Sequence, residues 1–293
     1  MKILKRYKTP LLIFYIGLIL IHFIIKDSIY PLSVLFYASP LILIIIYGFF
    51  LSYLHRKIKS RLSLIIVIQI TLLLTWFNNN YFTNNHKISE QDTSIAFWNL
   101  AKKKSFPYKI ISETIKNRKP NVLMFVEDKS SIPTTAFKKY TYKRLPDNIS
   151  ILFKGKLIET KSYYKEQSYH FNTVSIKHNN SITSYLIADI YASPFTNKTE
   201  ALEKIINVAK AKDIDFIVGD FNTPFESIHF EKFNNHYNSF RLKSNGFTST
   251  WYYGFPLLEL DQIWINKKYK ALLLEKNQHL NSDHKILIGS FNP

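Results

Sequence analysis

Apolar positions in this chain change their spacing sharply near residue 80. Before that point they form three nearly unbroken runs, about Leu11 to Ile25, Tyr30 to Leu54 and Leu62 to Phe77. A membrane-spanning helix needs roughly 20 predominantly apolar residues. The second run meets that length, while the first and third reach it by recruiting Tyr7–Pro10 and Asn78–Asn80. Helices of a soluble bundle would normally carry a polar face. A secretory leader could account for the first run alone, but no small-residue cleavage site follows Ile25. The pattern predicts an anchor of three transmembrane helices over residues 1–77.

Beyond it, Asn78–Gln91 is polar and reads as a linker, residues 78–91, leading to a domain over 92–293. There the apolar runs are short and mixed in period. Thr93–Trp98, Asn121–Val126, Ile149–Phe153, His170–Lys177, Ser184–Tyr191, Ile214–Val218, Gln262–Ile265 and Lys285–Gly289 read as strands. Pro107–Arg118 and Thr199–Lys212 carry helical spacing. Strands and helices without a regular βαβ repeat predict an α+β arrangement of two packed sheets with helices outside.

Charge adds an orientation. Lys2, Lys5, Arg6 and Lys8 precede the first run, and Arg56, Lys57, Lys59 and Arg61 fill the loop before the third. The link between the first two runs holds only Lys26, offset by Asp27. Basic loops stay in the cytoplasm, which predicts a multi-pass protein of the cytoplasmic (inner) membrane with its large domain on the extracytoplasmic side. The absence of cysteine is compatible with that oxidising side. Of the net charge of +18, residues 1–61 carry +8 and the remainder +10. That remainder favours an anionic partner, either nucleic acid or a lipid phosphate; a chain-wide bias toward Lys, Asn, Ile, Tyr and Phe explains it equally well. Nothing in the sequence points to a protein partner.

Candidate chemistry sits where apolar runs end. Gly219-Asp220-Phe221-Asn222 follows the run Ile214–Val218. The glycine is expected to free the backbone to turn, and Asp220 and Asn222, two apart, to point the same way. Such a pair can hold a water and a phosphoryl oxygen together; taken alone, the segment also suits an ordinary turn. In Ser282-Asp283-His284, the histidine can exchange protons or bond a phosphate oxygen near neutral pH, and Asp261 is placed to orient its ring. Asn99 and Glu127 each end an apolar run, where an unpaired polar group is costly to bury. Glu127 offers the hard oxygen that Mg²⁺ prefers. Asn99 also suits a strand-end cap, and Asp128 competes with Glu127, although strand alternation sends it to the other face.

In this order Asn99, Glu127, Asp220-Phe221-Asn222, Asp261 and Asp283-His284 resemble the endonuclease/exonuclease/phosphatase superfamily, the DNase I-like fold. The resemblance covers about residues 92–293 and implies a four-layer α/β-sandwich with divalent-metal-dependent cleavage of phosphate esters. It implies that Glu127 and Asn99 serve a Mg²⁺ (or Mn²⁺) site with Asp283 near it. Asp220 and Asn222 would position water and phosphate, and His284, oriented by Asp261, would stabilise the phosphoryl transition state. Many members carry a histidine where this chain has Tyr191 in Asp189-Ile190-Tyr191-Ala192-Ser193-Pro194; the pattern is similar to members with tyrosine in that slot. Asp261-Gln262 stands where an Asp-His pair is common, which keeps the carboxylate, and the region Ser130–Asp147 is short, which implies trimmed substrate loops. Three amino-terminal spans also resemble bacterial membrane-bound members linked to glycopeptide resistance, which implies a lipid-linked (pyro)phosphate as substrate. An extracellular nuclease, with Trp251, Tyr252 and Tyr253 available for stacking, and a catalytically degenerate binding protein are the alternatives.

Overall fold

The computed structural model describes residues 7–89, 91–130 and 137–292. Lys2, Lys5 and Arg6, which carry part of the orientation argument, lie outside the described residues, as does 131–136 within the shortened loop. The chain divides into two compact units, Met1–Tyr81 with Glu226–Ile228, and Phe82–Phe225 with His229–Pro293.

The first unit is helical. Helix α1 spans Lys8–Leu20 and continues through one π-turn, Ile21–Ile25. The second apolar run is not one straight helix: α2 (Leu32–Ala38) and α3 (Leu41–His55) meet at 85°. Pro40 explains the break, because it has no amide hydrogen and drives Ser39 out of helical geometry, to φ −122° and ψ 70°. Helix α4 runs from Lys59 to Asn80, so the third span extends past the expected boundary at residue 77. Among the described residues, two helices are long and apolar enough to cross a membrane, or three if the bent pair forms one span. Their packing is inside-out relative to a soluble bundle. Polar Gln69 is buried and donates to the Tyr15 hydroxyl, while Ile13, Phe49, Leu64, Val67 and Leu74 face outward. An outward apolar surface of this kind suits a hydrocarbon solvent.

In the second unit, strands β1 (Thr93–Asn99), β2 (Val122–Val126), β3 (Thr141–Arg144), β4 (Ser150–Phe153), β5 (Lys156–Lys165), β6 (Tyr169–His178), β7 (Ser181–Ile190), β8 (Phe216–Asp220), β9 (Tyr237–Ser239), β10 (Asp261–Asn266), β11 (Lys270–Asn277) and β12 (Ile286–Asn292) form two six-stranded sheets. One has the order β11-β12-β1-β2-β4-β3 and the other β9-β10-β8-β7-β6-β5. Each holds one parallel pair, β1 with β2 and β7 with β8, and these pairs are joined by helices α5 (Tyr108–Arg118) and α6 (Thr199–Ala211). Alternation along the strands decides the layers. Phe97 and Met124 from the first sheet interlock with Ile187, Val218 and Ile263 from the second. The opposite faces take the helices: Trp98 and Phe125 pack with Ile111 of α5, and Leu186 and Ile217 pack with Leu202 and Ile205 of α6. The result is a four-layer α/β-sandwich.

Two expectations shift. The polar segment after α4 is tied to this unit, because Asn84 Nδ2 donates to Lys243 O and Leu272 O, both at 2.8 Å, and His86 pairs with Asp92 at 2.9 Å. The free linker of residues 78–91 is therefore shortened from both sides. Gly219 does not start a turn. It lies inside β8, opposite Ala188 and Gln262, and a Cβ there would stand 2.3 Å from Ala188 O. Glycine is needed for the close approach of β7 and β8. Gly219→Ala should accordingly lower stability by about 1–3 kcal/mol through forced strand separation, read as a drop in the thermal unfolding midpoint in detergent.

Candidate active site

Both parallel pairs run toward one edge of the sandwich, and each strand that ends there delivers a polar side chain. In the second sheet the register places Asp261 beside Asp220, Asp220 beside Asp189, and Asp189 beside His170. Alternation turns this row of four toward the other sheet, on the same face as Val218, Ile187 and Ile263. From the first sheet come Asn99 at the end of β1, Glu127 just after β2, and Asp283-His284 just before β12.

The two sets meet. Asn99 Nδ2 donates to Asp220 Oδ2 at 2.8 Å, and its Oδ1 accepts from Ala101 N at 2.7 Å, so the strand-end turn and the site contact coexist. His284 Nδ1 lies 2.8 Å from Asp261 Oδ2, and its Nε2 lies 3.8 Å from Asp220 Oδ2 and 4.0 Å from Asp283 Oδ1. The ring is fixed from behind as well, with Trp98 Nε1 donating to His284 O and the His284 amide donating to Ser282 Oγ, each at 3.0 Å. Asp283 Oδ2 accepts from Trp251 Nε1 at 3.0 Å.

Electrostatics divide the labour. Burial lowers the pKa of His284, but the Asp261, Asp220 and Asp283 carboxylates override it and lift the imidazole to about 10. At neutral pH it is a cation held between two buried acids. Burial, with Asp261 adding to it, pushes Asp220 up to about 7 against the opposing pull of His284, the Asn222 amide and Asn99. Asp220 can thus take up or release a proton under ordinary conditions.

Glu127 sits at φ +52° and Asn222 at φ +44°, left-handed conformations that cost side-chain-bearing residues about 1–2 kcal/mol each. Strain of this kind concentrates where placement of a side chain matters more than local comfort. Among the described residues, the Glu127 carboxylate has only exposed Lys102, at 3.3 Å, as a charged partner. Asp128 is buried elsewhere, accepting from Ser130 N at 2.9 Å and from the Ser130 and Ser150 hydroxyls, which removes it from competition with Glu127. Asn222 Nδ2 donates to Ile190 O at 2.8 Å, and the exposed Tyr191 amide donates to Ser168 O at 3.0 Å. The Asn222 amide therefore clamps the Tyr191 turn.

A divalent cation fits these residues. Asp261 Oδ1 is buried with no hydrogen-bond partner, and Asp189 accepts no hydrogen bond among the described residues. Five carboxyl groups, Glu127, Asp189, Asp220, Asp261 and Asp283, face the three cations His284, Lys198 and Lys102. Atoms of Asp220, Asp261 and His284 lie within 4.8 Å of one another and form one possible cage. The proton carried by His284 suits hydrogen bonding there better than metal ligation, which needs the neutral ring. Glu127, Asp283 and Asn99 Oδ1 carry hard oxygens, the donor type that a divalent cation such as Mg²⁺ or Mn²⁺ takes.

Three residues escaped the sequence reading of roles. Asp189 has its pKa raised well above the usual carboxylate range by burial, Asp220 and Glu127. An acid inside the apolar run Tyr185–Ile190 was its visible signal. His170 follows from register alone; its buried Nδ1 has no partner and its ring stacks on Tyr164 at 5.4 Å. Lys198, fully buried at the start of α6, donates to Tyr191 O, and burial lowers its pKa to about 8 despite Asp220. No sequence pattern marks it.

No protein-family model and no curated protein matches this chain. Solved structures do. A humanised TDP2 of D. rerio matches with a TM-score of 0.55 and 11% identity over 70% of this chain and 100% of that one. An endonuclease/exonuclease/phosphatase family protein from Bacteroides thetaiotaomicron gives 0.53 and 10% over 68% and 97%. The catalytic domain of human Nocturnin, with a bound sulfate anion, gives 0.50 and 17% over 69% and 95%. The second unit has the DNase I-like fold. The endonuclease/exonuclease/phosphatase proteins share it, and the resemblance read from Asn99 to His284 agrees with it at the level of the fold.

Lys198 yields a measurable consequence. A lysine whose pKa falls from 10.5 to about 8 on folding destabilises the native state by about 3 kcal/mol below pH 8, at 1.36 kcal/mol per unit. That cost fades as pH rises from about 8 to 10.5, because the unfolded chain still binds the proton that the native state has lost. Lys198→Met also loses the bond to Tyr191 O, worth about 1 kcal/mol. The variant should melt higher than the parent at pH 7, with the gap closing by pH 10.5.

Proposed function

We propose that this chain is a membrane-anchored phosphoesterase, dependent on Mg²⁺ or Mn²⁺, whose outer domain hydrolyses phosphodiester or phosphomonoester bonds on the extracytoplasmic face. Its substrate is a lipid-linked (pyro)phosphate. The observation that carries this reading is the meeting of Asn99, Asp220, Asp261 and His284 from two sheets, with Glu127 and Asp283 beside them. A structural hydrogen-bond network has no need of five carboxyl groups at one sheet edge.

Glu127, Asp283 and Asn99 would hold the cation, which supplies charge neutralisation at the phosphoryl group. Asp220 orients the attacking water and accepts its proton, with a pKa near neutrality that suits both states. The His284 imidazolium, braced by Asp261 at 2.8 Å, donates from Nε2 to a non-bridging phosphate oxygen as charge develops there. Asn222 and Lys198 hold the two carbonyls flanking the turn at Tyr191, whose exposed phenol faces the leaving group.

Nuclease activity is the second reading. The +10 balance beyond residue 61 favours it, and a D. rerio TDP2 neighbour is complexed with a single-strand DNA product. A degenerate binding protein would have relaxed its acids, and every acid expected at the site is present.

Purified full-length protein in detergent, assayed in parallel on DNA, phosphoinositides and polyprenyl pyrophosphate, separates these readings. Glu127→Gln should cut metal-dependent turnover at least about 100-fold with an unchanged circular dichroism spectrum; full turnover would remove Glu127 from the metal site. Tyr191→Phe should slow turnover at least about tenfold if the phenol serves the leaving group. A negligible change removes Tyr191 from the chemistry.

A further inference from the structure

Large apolar side chains exposed to solvent are expected singly on a soluble domain. On the outer unit Ile158, Ile182 and Leu242 follow that rule, one per element. Around the mouth of the active site they gather. Leu280 is 89% exposed, Phe195 68%, Phe255 56%, and Tyr252 and Tyr253 45% each.

These residues lie on three loops fastened to the catalytic groups. The loop Trp251–Phe255 is tied to the site by Trp251 Nε1 on Asp283 Oδ2 and by Tyr253 N donating to Asp283 O at 2.9 Å. Leu280 precedes Ser282, whose hydroxyl donates to Asn99 O at 2.7 Å. Phe195 belongs to the turn whose first carbonyls are held by Asn222 and Lys198. Exposed Lys102, Lys103 and Lys104 follow Asn99 with no acid in the run, and Lys102 lies 3.3 Å from Glu127. The segments that carry the site are therefore apolar on three loops and basic on a fourth.

We infer that this rim is a membrane-contact surface, which sets the tips of the three loops into the headgroup boundary of an anionic bilayer and brings a lipid-borne phosphate to Asp220 and His284. The inference rests on the phosphoesterase reading and adds how the substrate is presented. Exposed hydrocarbon together with a run of lysines matches the chemistry of a bilayer surface, where apolar acyl chains meet anionic phosphate. Tyrosine and tryptophan favour that boundary because each joins an apolar ring to a polar tip. A nucleic-acid surface needs flat platforms for stacked bases. The most exposed of these side chains, Leu280, has no ring to offer a base.

The chain has no cysteine, so single labelling sites can be placed at will. Leu280→Cys and, as a control at the start of β7, Ile182→Cys would each carry an NBD fluorophore on the full-length protein in liposomes of phosphatidylcholine with phosphatidylglycerol. The label at 280 should shift to the blue and be quenched by lipids bearing a nitroxide near the headgroup, while the label at 182 stays in water. Phe255→Ser/Leu280→Ser should lose at least about tenfold in turnover of dioleoyl phosphatidic acid in vesicles. Its turnover of soluble bis(p-nitrophenyl) phosphate should stay within about twofold of the parent. A water-like spectrum at 280 overturns the proposal. So does an equal loss on both esters, and so does a selective loss on a single-stranded DNA oligonucleotide, which would assign the rim to nucleic acid. If the parent hydrolyses no ester at all, the phosphoesterase reading fails, and the label at 280 still decides whether the rim meets lipid.

Discussion

The hydrogen bond from Asn99 to Asp220 joins the two sheets at the edge where the chemistry is assembled. A buried carboxylate needs partners, and within its own sheet Asp220 has mainly other acids for neighbours: Asp261 on one side and Asp189 on the other. The compensating groups, Asn99 and His284, come from the opposite sheet. The row of acids is therefore tolerable only while the sandwich is closed, and the apolar interior of Phe97, Met124, Val218 and Ile263 sets the distance at which it closes. Packing and the geometry of the candidate site are one constraint here. A change of one methylene between the sheets would be felt at His284 as a change in hydrogen-bond length.

That dependence explains what the sequence could disclose. An acid or amide ending an apolar run is visible in one dimension, and Asn99, Glu127 and Asp220 were found that way. Their convergence was not visible; it came from the resemblance to a known family. Register decides the rest. Asp189 looked like one acid in an apolar strand until β7 was paired with β8, and His170 enters only through its pairing with Asp189. Lys198 is buried by the way the start of α6 folds back on the Tyr191 turn, which no local spacing announces. Gly219 was seen correctly as necessary and wrongly as a turn, because a glycine demanded by a neighbouring strand looks the same in sequence as one demanded by its own backbone. The long strands β5 and β11 were missed for a simpler reason. Much of β5 is exposed on an edge, so its residues carry no continuous apolar signal.

The helical unit teaches a parallel lesson at lower resolution. Composition marked it out, since so many outward leucines and isoleucines suit a hydrocarbon solvent. Composition could not tell a straight span from a bent one. Pro40 does, since the residue before a proline avoids helical geometry and the proline itself can only begin the next helix.

Strain and charge at the mouth point the same way. Glu127 and Asn222 both hold left-handed backbone angles that asparagine tolerates and glutamate does not favour. A glutamate kept there gains nothing from its own turn, where glycine would be cheaper, so its side chain must be what the position requires. Its carboxylate faces a weak, exposed lysine and lies close enough to Asp189 to raise that group's pKa. Adding a divalent cation would reverse the sign of this local field, favouring the charged form of Asp189 and relieving the repulsion among the acids. The acids gathered at this edge therefore repel one another, and a cation would offset that repulsion.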